Sequence, residues 1–177
     1  MWYVDSDNII NVEGLRHAAP PNAYVNDATI TGILYDLPAL APDAAAVVDA
    51  TGGKVNIPIA NHTLLNGETV RLERFLNYNG THVLQTGTTG TGVLVITATY
   101  AAEILTGNEF SYRAIFGTGA APITFDYVEN SDGNYVGKMA YTASLLQGER
   151  YMMCIKEISG GEQVLAKIIA TAGFQGM

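Results

Sequence analysis

Tight-turn sequences recur at short intervals along this chain of 177 residues, and they constrain its fold more than any other feature. They are Gly52-Gly53, Asn66-Gly67, Asn79-Gly80, the Thr/Gly run 86–92, Asp132-Gly133 and Gly160-Gly161. Asn-Gly and Asp-Gly supply the positive φ angles that hairpin turns need, and β-branched or aromatic residues fill the intervals. The pattern predicts an all-β protein built from short strands.

The intervals between these turns predict the positions of the strands. Ile123, Phe125 and Tyr127 alternate with polar residues, as in a strand with one buried face. The best helix candidates, 43–48 and 142–146, are too short to be stable without tertiary support. Strands are predicted over 28–35, 45–50, 54–59, 69–74, 82–85, 93–99, 110–115, 123–128, 135–140, 151–158 and 163–170.

The charge balance argues against a nucleic-acid partner. The chain carries 17 acidic and 9 basic residues, a net charge of −8, whereas phosphate-backbone binding needs clustered Lys and Arg. Residues 1–50 contain seven carboxylates and a single basic side chain, Arg16. That acidic segment is either a solvated surface or a face for a basic partner.

Cys154 is the only cysteine, so neither an internal disulfide nor a thiolate metal cage is expected. No basic region followed by an apolar run opens the sequence, and no stretch reaches the roughly 18 apolar residues that a membrane helix needs. We therefore expect no signal peptide and no membrane partner.

The residues that could carry chemistry form no known constellation. His17, His62 and His82 lack metal-ligand spacing, and His62 is expected to hydrogen-bond its own loop. Cys154 lies in an apolar run, where a thiol behaves as a small hydrophobe, and no serine stands in a G-x-S-x-G elbow. We expect no catalytic residue, no cofactor site and no enzymatic activity.

Two loop types invite a ligand interpretation. The glycine-rich stretch 87–92 lacks the Gly-Lys-Ser/Thr ending of a phosphate loop, so a hairpin loop is expected. Segments 5–8 and 129–134 offer oxygen ligands but not the twelve-residue calcium loop with its terminal glutamate. Turn chemistry is the expected role of both, and no metal site is predicted.

Trp2, Tyr3 and Val4 form an aromatic and apolar cluster at the N-terminus. Such a cluster is costly to leave in water. It therefore either packs on the chain's own sheet or contacts a neighbouring subunit, by adding a strand to that neighbour's sheet.

Two groups of sequence blocks resemble one protein family. The first runs from Val12-Glu13-Gly14-Leu15-Arg16 to Asn22-Ala23-Tyr24-Val25-Asn26-Asp27 and on through Thr31. The second is 123–128, then Ser131-Asp132-Gly133-Asn134-Tyr135, then an L-x-x-G-x-x-Y pattern from Leu145 to Tyr151. Together they resemble small immunoglobulin-like virion proteins of tailed bacteriophages, in which these blocks are separated by only a short turn.

The intervening segment has a resemblance of its own. His62-Thr63-Leu64-Leu65-Asn66-Gly67-Glu68-Thr69-Val70 and Asn77-Tyr78-Asn79-Gly80-Thr81-His82-Val83 are similar to small β-barrel repeats of phage tail proteins, although Leu64-Leu65 shifts the spacing by one residue. The two resemblances imply an immunoglobulin-like β-sandwich, 1–39 plus 112–177, with an inserted small β-barrel, 40–111. Composition shifts at 40–60 and 105–122 suit such junctions, but two domains in series remain an alternative.

The resemblance implies a function as well as a fold. It indicates a non-enzymatic virion protein of a tailed phage or prophage, assembled in the host cytoplasm, that forms a ring-shaped adaptor at the head–tail junction or tail. Its partners would be copies of itself and portal, neck or tail-tube proteins. A capsid decoration protein is the second hypothesis, and a carbohydrate-binding β module or tail-associated glycan hydrolase is the third.

Overall fold

Strands dominate the computed structural model, which describes residues 1–17, 21–88, 92–119, 122–158 and 163–174. Strands account for 47% of the structure and helix for 2%, which confirms the all-β class. The strands are β1 (Trp2–Tyr3), β2 (Asn8–Val12), β3 (Ile30–Leu37), β4 (Val48–Asp49), β5 (Lys54–Pro58), β6 (Thr69–Glu73), β7 (Gly80–Val83), β8 (Val93–Thr97), β9 (Phe110–Phe116), β10 (Ile123–Tyr127), β11 (Tyr135–Met139), β12 (Arg150–Glu157) and β13 (Gln163–Gly173).

Every predicted strand overlaps an observed one, and the departures are local. Strands β1 and β2 were not predicted. Segment 43–48 is not helical, and 142–146 contains only the end of a short 3-10 turn, Tyr141–Ala143. The predicted turn at Gly160-Gly161 and positions 89–91 lie outside the described residues. No helix in the described ranges is long and apolar enough to cross a membrane.

The chain divides into two compact units. The first unit comprises Met1–Leu37 and Ile115–Met177, and the second comprises Pro38–Ala114. In the first unit β3, from the N-terminal part of the chain, lies between β10 and β12, from its C-terminal part. The first unit is therefore assembled from both ends of the sequence.

The first unit contains one sheet that curls over on itself. Its strand order is β1-β13-β12-β3-β10-β11-β2, and every pair is antiparallel except β1 with β13. A flat sheet of this order would hold its outermost strands about 29 Å apart, at ~4.8 Å per strand. Only residues 4–7 join those two strands, a connection that spans at most about 18 Å. The sheet must therefore bend until its two edges approach each other.

Asn8 fastens the two edges of this curled sheet. Its side-chain oxygen accepts a hydrogen bond from the Tyr3 N–H at 2.7 Å, and its side-chain amide donates to the Tyr3 carbonyl at 3.0 Å. Because Tyr3 belongs to β1 and Asn8 to β2, one buried side chain links the first and last strands of the order.

A single hydrophobic core fills the inside of the curled sheet. The members of the core come from seven strands and from the loop before β12: Trp2, Ile10, Ile30, Leu34, Ile123, Phe125, Tyr135, Met139, Ala143, Leu145, Tyr151, Met153, Ile155 and Ala172. The Tyr151 hydroxyl accepts a hydrogen bond from the Leu146 N–H at 2.9 Å, which ties the start of β12 to the preceding loop.

Phe125 lies across two glycines in the middle of this core. It is opposite Gly137 on β11, and its ring also covers Gly32 on β3. An aromatic ring over a strand glycine fills the volume that the missing side chain leaves. The sheet can therefore pack closely at a point where a larger residue would not fit.

The second unit has its own core between two small groups of strands. Strand β5 pairs with β4 and β8, and β6 pairs with β7 and β9. Their inward residues pack with those of the connecting loops: Val47, Val55, Ile57, Ile59, Leu64, Val70, Leu72, Phe75, Tyr78, Leu84, Leu94, Ile96 and Leu105. The buried Tyr78 hydroxyl donates to the Ala101 carbonyl at 2.6 Å and accepts from the Ala101 N–H at 2.8 Å.

Candidate functional site

A shallow cleft of about 590 Å³ lies in the second unit. Its lining includes Arg74, two carboxylates, Glu103 and Glu109, and two aliphatic side chains, Leu76 and Ile104. The aliphatic side chains are 80% and 78% exposed, respectively. Paired carboxylates can do acid–base chemistry, so the decisive question is which atoms these two contact.

Glu103 is committed to backbone donors. One carboxylate oxygen accepts from the Leu76 N–H at 2.7 Å, and the other accepts from the Asn77 N–H at 3.0 Å. Both contacts fix the turn that leads from Phe75 to Tyr78. The side chain is a structural acceptor that holds this loop in place.

Glu109 does the same for the next loop. Its carboxylate accepts from the N–H groups of Thr106, at 3.1 Å, and Gly107, at 2.9 Å. Burial raises the pKa of Glu109, but these N–H groups and the Thr106 hydroxyl lower it by more, so the pKa lies below its usual value of 4.5. An ionised carboxylate whose acceptors are occupied is a poor general acid.

His62 and His82 contact backbone groups, and Cys154 is part of a buried strand. His62 Nδ1 accepts a hydrogen bond from the Leu64 N–H at 3.1 Å, which is the predicted contact with its own loop. With Nδ1 as the acceptor, the Nε2–H donates to the Val93 carbonyl at 3.2 Å. His82 Nε2 is 3.1 Å from the Tyr78 carbonyl oxygen, and Cys154 is fully buried in β12.

The two calcium-like segments are turns. Asp7 forms an ion pair with Lys138 and accepts from the Tyr141 N–H, contacts that hold its pKa below the usual range. In 129–134, the Ser131 hydroxyl accepts from the Asn134 N–H. No group of three or more His, Cys, Asp or Glu side chains within the described ranges could hold a metal ion.

The N-terminal cluster lies on the chain's own sheet. Strand β1 pairs with the end of β13, Trp2 opposite Ala172 and Tyr3 opposite Gly173. Trp2 is only 5% exposed and belongs to the core of the first unit, whereas Tyr3 stays partly exposed. The cluster thus packs on the chain's own sheet, with Tyr3 exposed and Val4 half-buried, and a contact of these residues with a neighbouring subunit stays a prediction.

Strand β13 carries the feature that sequence reasoning missed. It pairs with β12 on one side, but on its other side β1 reaches only Ala172 and Gly173. Among the described residues no other strand pairs with it. We call the edge of β13 over 163–170, away from β12, the open edge.

Hydrogen bonds define which backbone groups face the open edge. The Ala172 N–H donates to the Glu149 carbonyl and the Ala172 carbonyl accepts from the Gly148 N–H, so both groups of Ala172 face the β12 side. The register is regular from there back to Ala166. Because successive residues of a strand direct their N–H and C=O groups to opposite edges, those of Lys167 and Ile169 point to the open edge.

The side chains along the open edge are mostly apolar. Ile169 is 53% exposed, and Val164 is exposed as well. Phe174, which directly follows the end of β13, is also exposed. Lys167 is the only charged residue from 163 to 174. Long apolar edges with outward backbone groups are sites of strand addition. The sequence does indicate an unusual strand here, since residues 163–170 are apolar at both odd and even positions. Whether such a strand lies at the edge of a sheet depends on the strand order, which the sequence pattern does not give.

A scan against protein-family models and searches of curated proteins and of solved structures return no match.

Proposed function

We propose that this chain is a non-enzymatic structural protein of a tailed-phage or prophage virion, acting as a ring-forming adaptor at the head–tail junction or in the tail. The observation that carries the proposal is the open edge of β13. A chain whose work is to join other chains needs a surface that binds backbone to backbone, and the outward backbone groups of Ile169 provide one.

The proposal includes an immunoglobulin-like fold for the first unit. The hydrogen bond from the Leu146 N–H to the Tyr151 hydroxyl has the geometry of the tyrosine corner, in which a tyrosine near the start of a late strand bonds backbone a few residues upstream. The curled sheet around one core agrees with a sandwich of two layers. The second unit, between Leu37 and Ile115, is in this proposal the small inserted barrel.

The polar side chains support a non-enzymatic role. The carboxylates of the cleft, the ring of His62 and the segment 129–134 are each engaged by backbone groups of nearby loops. Catalysis requires groups that are aimed at a substrate. Here the same groups stabilise turns, as expected of a protein that serves as a building block.

Electron microscopy of the intact particle tests the proposal. A label inserted at the exposed Gly52-Gly53 turn should mark a closed ring at the head–tail junction or along the tail, since insertions at exposed turns are tolerated. Label spread over the shell would favour the capsid decoration hypothesis. Particles that contain no labelled chain would overturn the virion assignment.

A further inference from the structure

We propose that the cleft of the second unit binds an extended peptide segment of a partner protein, one that carries aliphatic and acidic side chains. The lining of the cleft combines two backbone groups without partners, two exposed aliphatic side chains and one arginine without an ion pair. This binding does not depend on the virion assignment, because it requires only residues that line the cleft.

The chain around Ile104 presents a free backbone edge at the cleft. On one side of this segment, the Glu103 carbonyl accepts from the Val47 N–H at 2.9 Å. The Leu105 N–H donates to the Ala45 carbonyl on the same side, also at 2.9 Å. Ile104 lies between these two bonded residues, so its own N–H and C=O point to the opposite side. Neither group has a hydrogen bond to any described residue, so both are available to a ligand.

A peptide backbone matches these two free groups. In an antiparallel strand pair, one residue accepts from the N–H of its partner and donates to the carbonyl of the same partner. A small anion such as an ionised carboxylate only accepts hydrogen bonds, so it would leave the Ile104 carbonyl without a donor. The edge is therefore suited to strand addition, in which main-chain hydrogen bonds hold the ligand and side-chain contacts select its sequence.

Two aliphatic side chains give the cleft an apolar surface. Leu76 and Ile104 both line it, and they are 80% and 78% exposed, respectively. The volume of the cleft, about 590 Å³, lies within the range of about 300–1,000 Å³ that is typical of ligand pockets. A ligand with aliphatic side chains would remove Leu76 and Ile104 from water, which stabilises the complex.

Arg74 gives the cleft its preference for a charge. Its guanidinium carbon lies 4.7 Å from the centre of the Phe110 ring, and the side chain is exposed. No carboxylate of the described residues forms an ion pair with it. A guanidinium that contacts an aromatic ring keeps its N–H groups for a carboxylate, which it binds through two parallel hydrogen bonds. Arg74 therefore favours a ligand with an acidic side chain.

The two carboxylates of the cleft do not replace such a ligand. Glu103 and Glu109 accept hydrogen bonds from backbone N–H groups of the neighbouring loops, and these donors stabilise their negative charge. An ammonium group of a ligand would have to compete with those N–H groups. Of the charged side chains that line the cleft, Arg74 is the one without a hydrogen-bond partner, so a carboxylate is favoured over an ammonium group.

Titration of the purified full chain with a synthetic peptide tests the proposal. The probe is a short capped peptide in which valine and glutamate alternate, and binding is followed through the backbone amide resonances of the isotopically labelled protein. We expect saturable shifts at Leu76 and Ile104. The Ile104 N–H should also exchange more slowly with solvent when the peptide is bound, because it enters a hydrogen bond.

The charge preference is tested on both partners. The same peptide with lysine in place of glutamate should bind at least about fivefold more weakly, since Arg74 would repel it. Arg74→Gln should weaken binding of the glutamate peptide by about threefold to fivefold, the size expected of an exposed ion pair. The matched control is Arg150→Gln, which removes an exposed arginine outside the cleft and should leave the affinity unchanged.

Several outcomes contradict this binding. No saturable change at Ile104, equal binding of the two peptides, or an unchanged affinity of Arg74→Gln overturns the proposal. Stronger binding of the lysine peptide would also overturn it, because Glu103 and Glu109 would then determine the charge preference. Shifts at Ile104 that depend on protein concentration in the absence of peptide would show that a second copy fills the cleft, and they would overturn binding of a partner's segment.

Discussion

Replacing Gly137 by alanine tests the packing at the centre of the first unit. A Cβ at this position would lie 2.7, 2.8 and 2.9 Å from three carbon atoms of the Phe125 ring, closer than side-chain carbons approach one another. The ring cannot move away easily, because Phe125 is 5% exposed and its far side faces Gly32, where a Cβ would already lie 3.1 Å from it.

The magnitude follows from two opposing effects. Overpacking a filled core costs about 1–3 kcal/mol, and Gly→Ala recovers about 0.4–1 kcal/mol by restricting the unfolded chain. We expect Gly137→Ala to lower the free energy of unfolding by about 1–2 kcal/mol. For a chain of this size that corresponds to a fall in Tm of roughly 2–4 °C per kcal/mol.

A double-mutant cycle identifies the cause. Phe125→Leu removes the ring, so Gly137→Ala should be neutral or stabilising in that background, with a coupling energy of about 1–3 kcal/mol. Urea unfolding is followed by the fluorescence of Trp2, the single tryptophan, which is buried in the same core.

Gly92→Ala is the matched control, because a Cβ there would meet nothing within 4 Å. Unfolding of this variant, followed by far-UV circular dichroism, should show no loss of stability. A cost of Gly137→Ala that is the same with and without the Phe125 ring would refute the reasoning.

Two further predictions concern the second unit. Tyr78→Phe removes a hydroxyl that both donates to and accepts from the backbone of Ala101, so the free energy of unfolding should fall by about 1–3 kcal/mol. The control is Tyr141→Phe, at an exposed position, which should change the free energy of unfolding little. Equal effects of the two substitutions in urea titrations would contradict the role of the Tyr78 hydroxyl. Glu109 has a folded pKa below 4.5, so its carboxylate stabilises the fold above that pH, and the stability is lost as pH falls through the folded pKa. The stability difference between the wild type and Glu109→Gln should therefore shrink from pH 7 to pH 3, and a constant difference would count against the N–H contacts.

Turn chemistry made much of the fold predictable. Gly67, Gly80 and Gly133 have positive φ angles, as the Asn-Gly and Asp-Gly pairs indicate. Because these turns could be located in the sequence, the strands between them could be located as well. The contact of His62 with its own loop was also predicted, whereas its contact with Val93, 31 residues away, depends on the fold.

Long-range contacts explain what could not be predicted. Strand β1 has two residues, and pairing with Ala172 and Gly173 at the other end of the chain defines it. Strand β2 combines three strand-favouring residues with two asparagines, which strands disfavour, and it forms by pairing with β11. Glu103 resembles a surface carboxylate in sequence, since the N–H groups of Leu76 and Asn77 that hold it become its neighbours only after folding.

The most direct test of the central claim is the mass of the purified protein in solution when the open edge of β13 is blocked. Ile169→Pro removes an N–H that points away from β12, so the pairing with β12 is kept, as for prolines found on edge strands. Ile169→Val retains that N–H and is the matched control. By light scattering, the wild type and Ile169→Val should form multimers of the 18.8 kDa chain, while Ile169→Pro should be a folded monomer. A folded Ile169→Pro variant with the same mass as the wild type would contradict assembly through this edge.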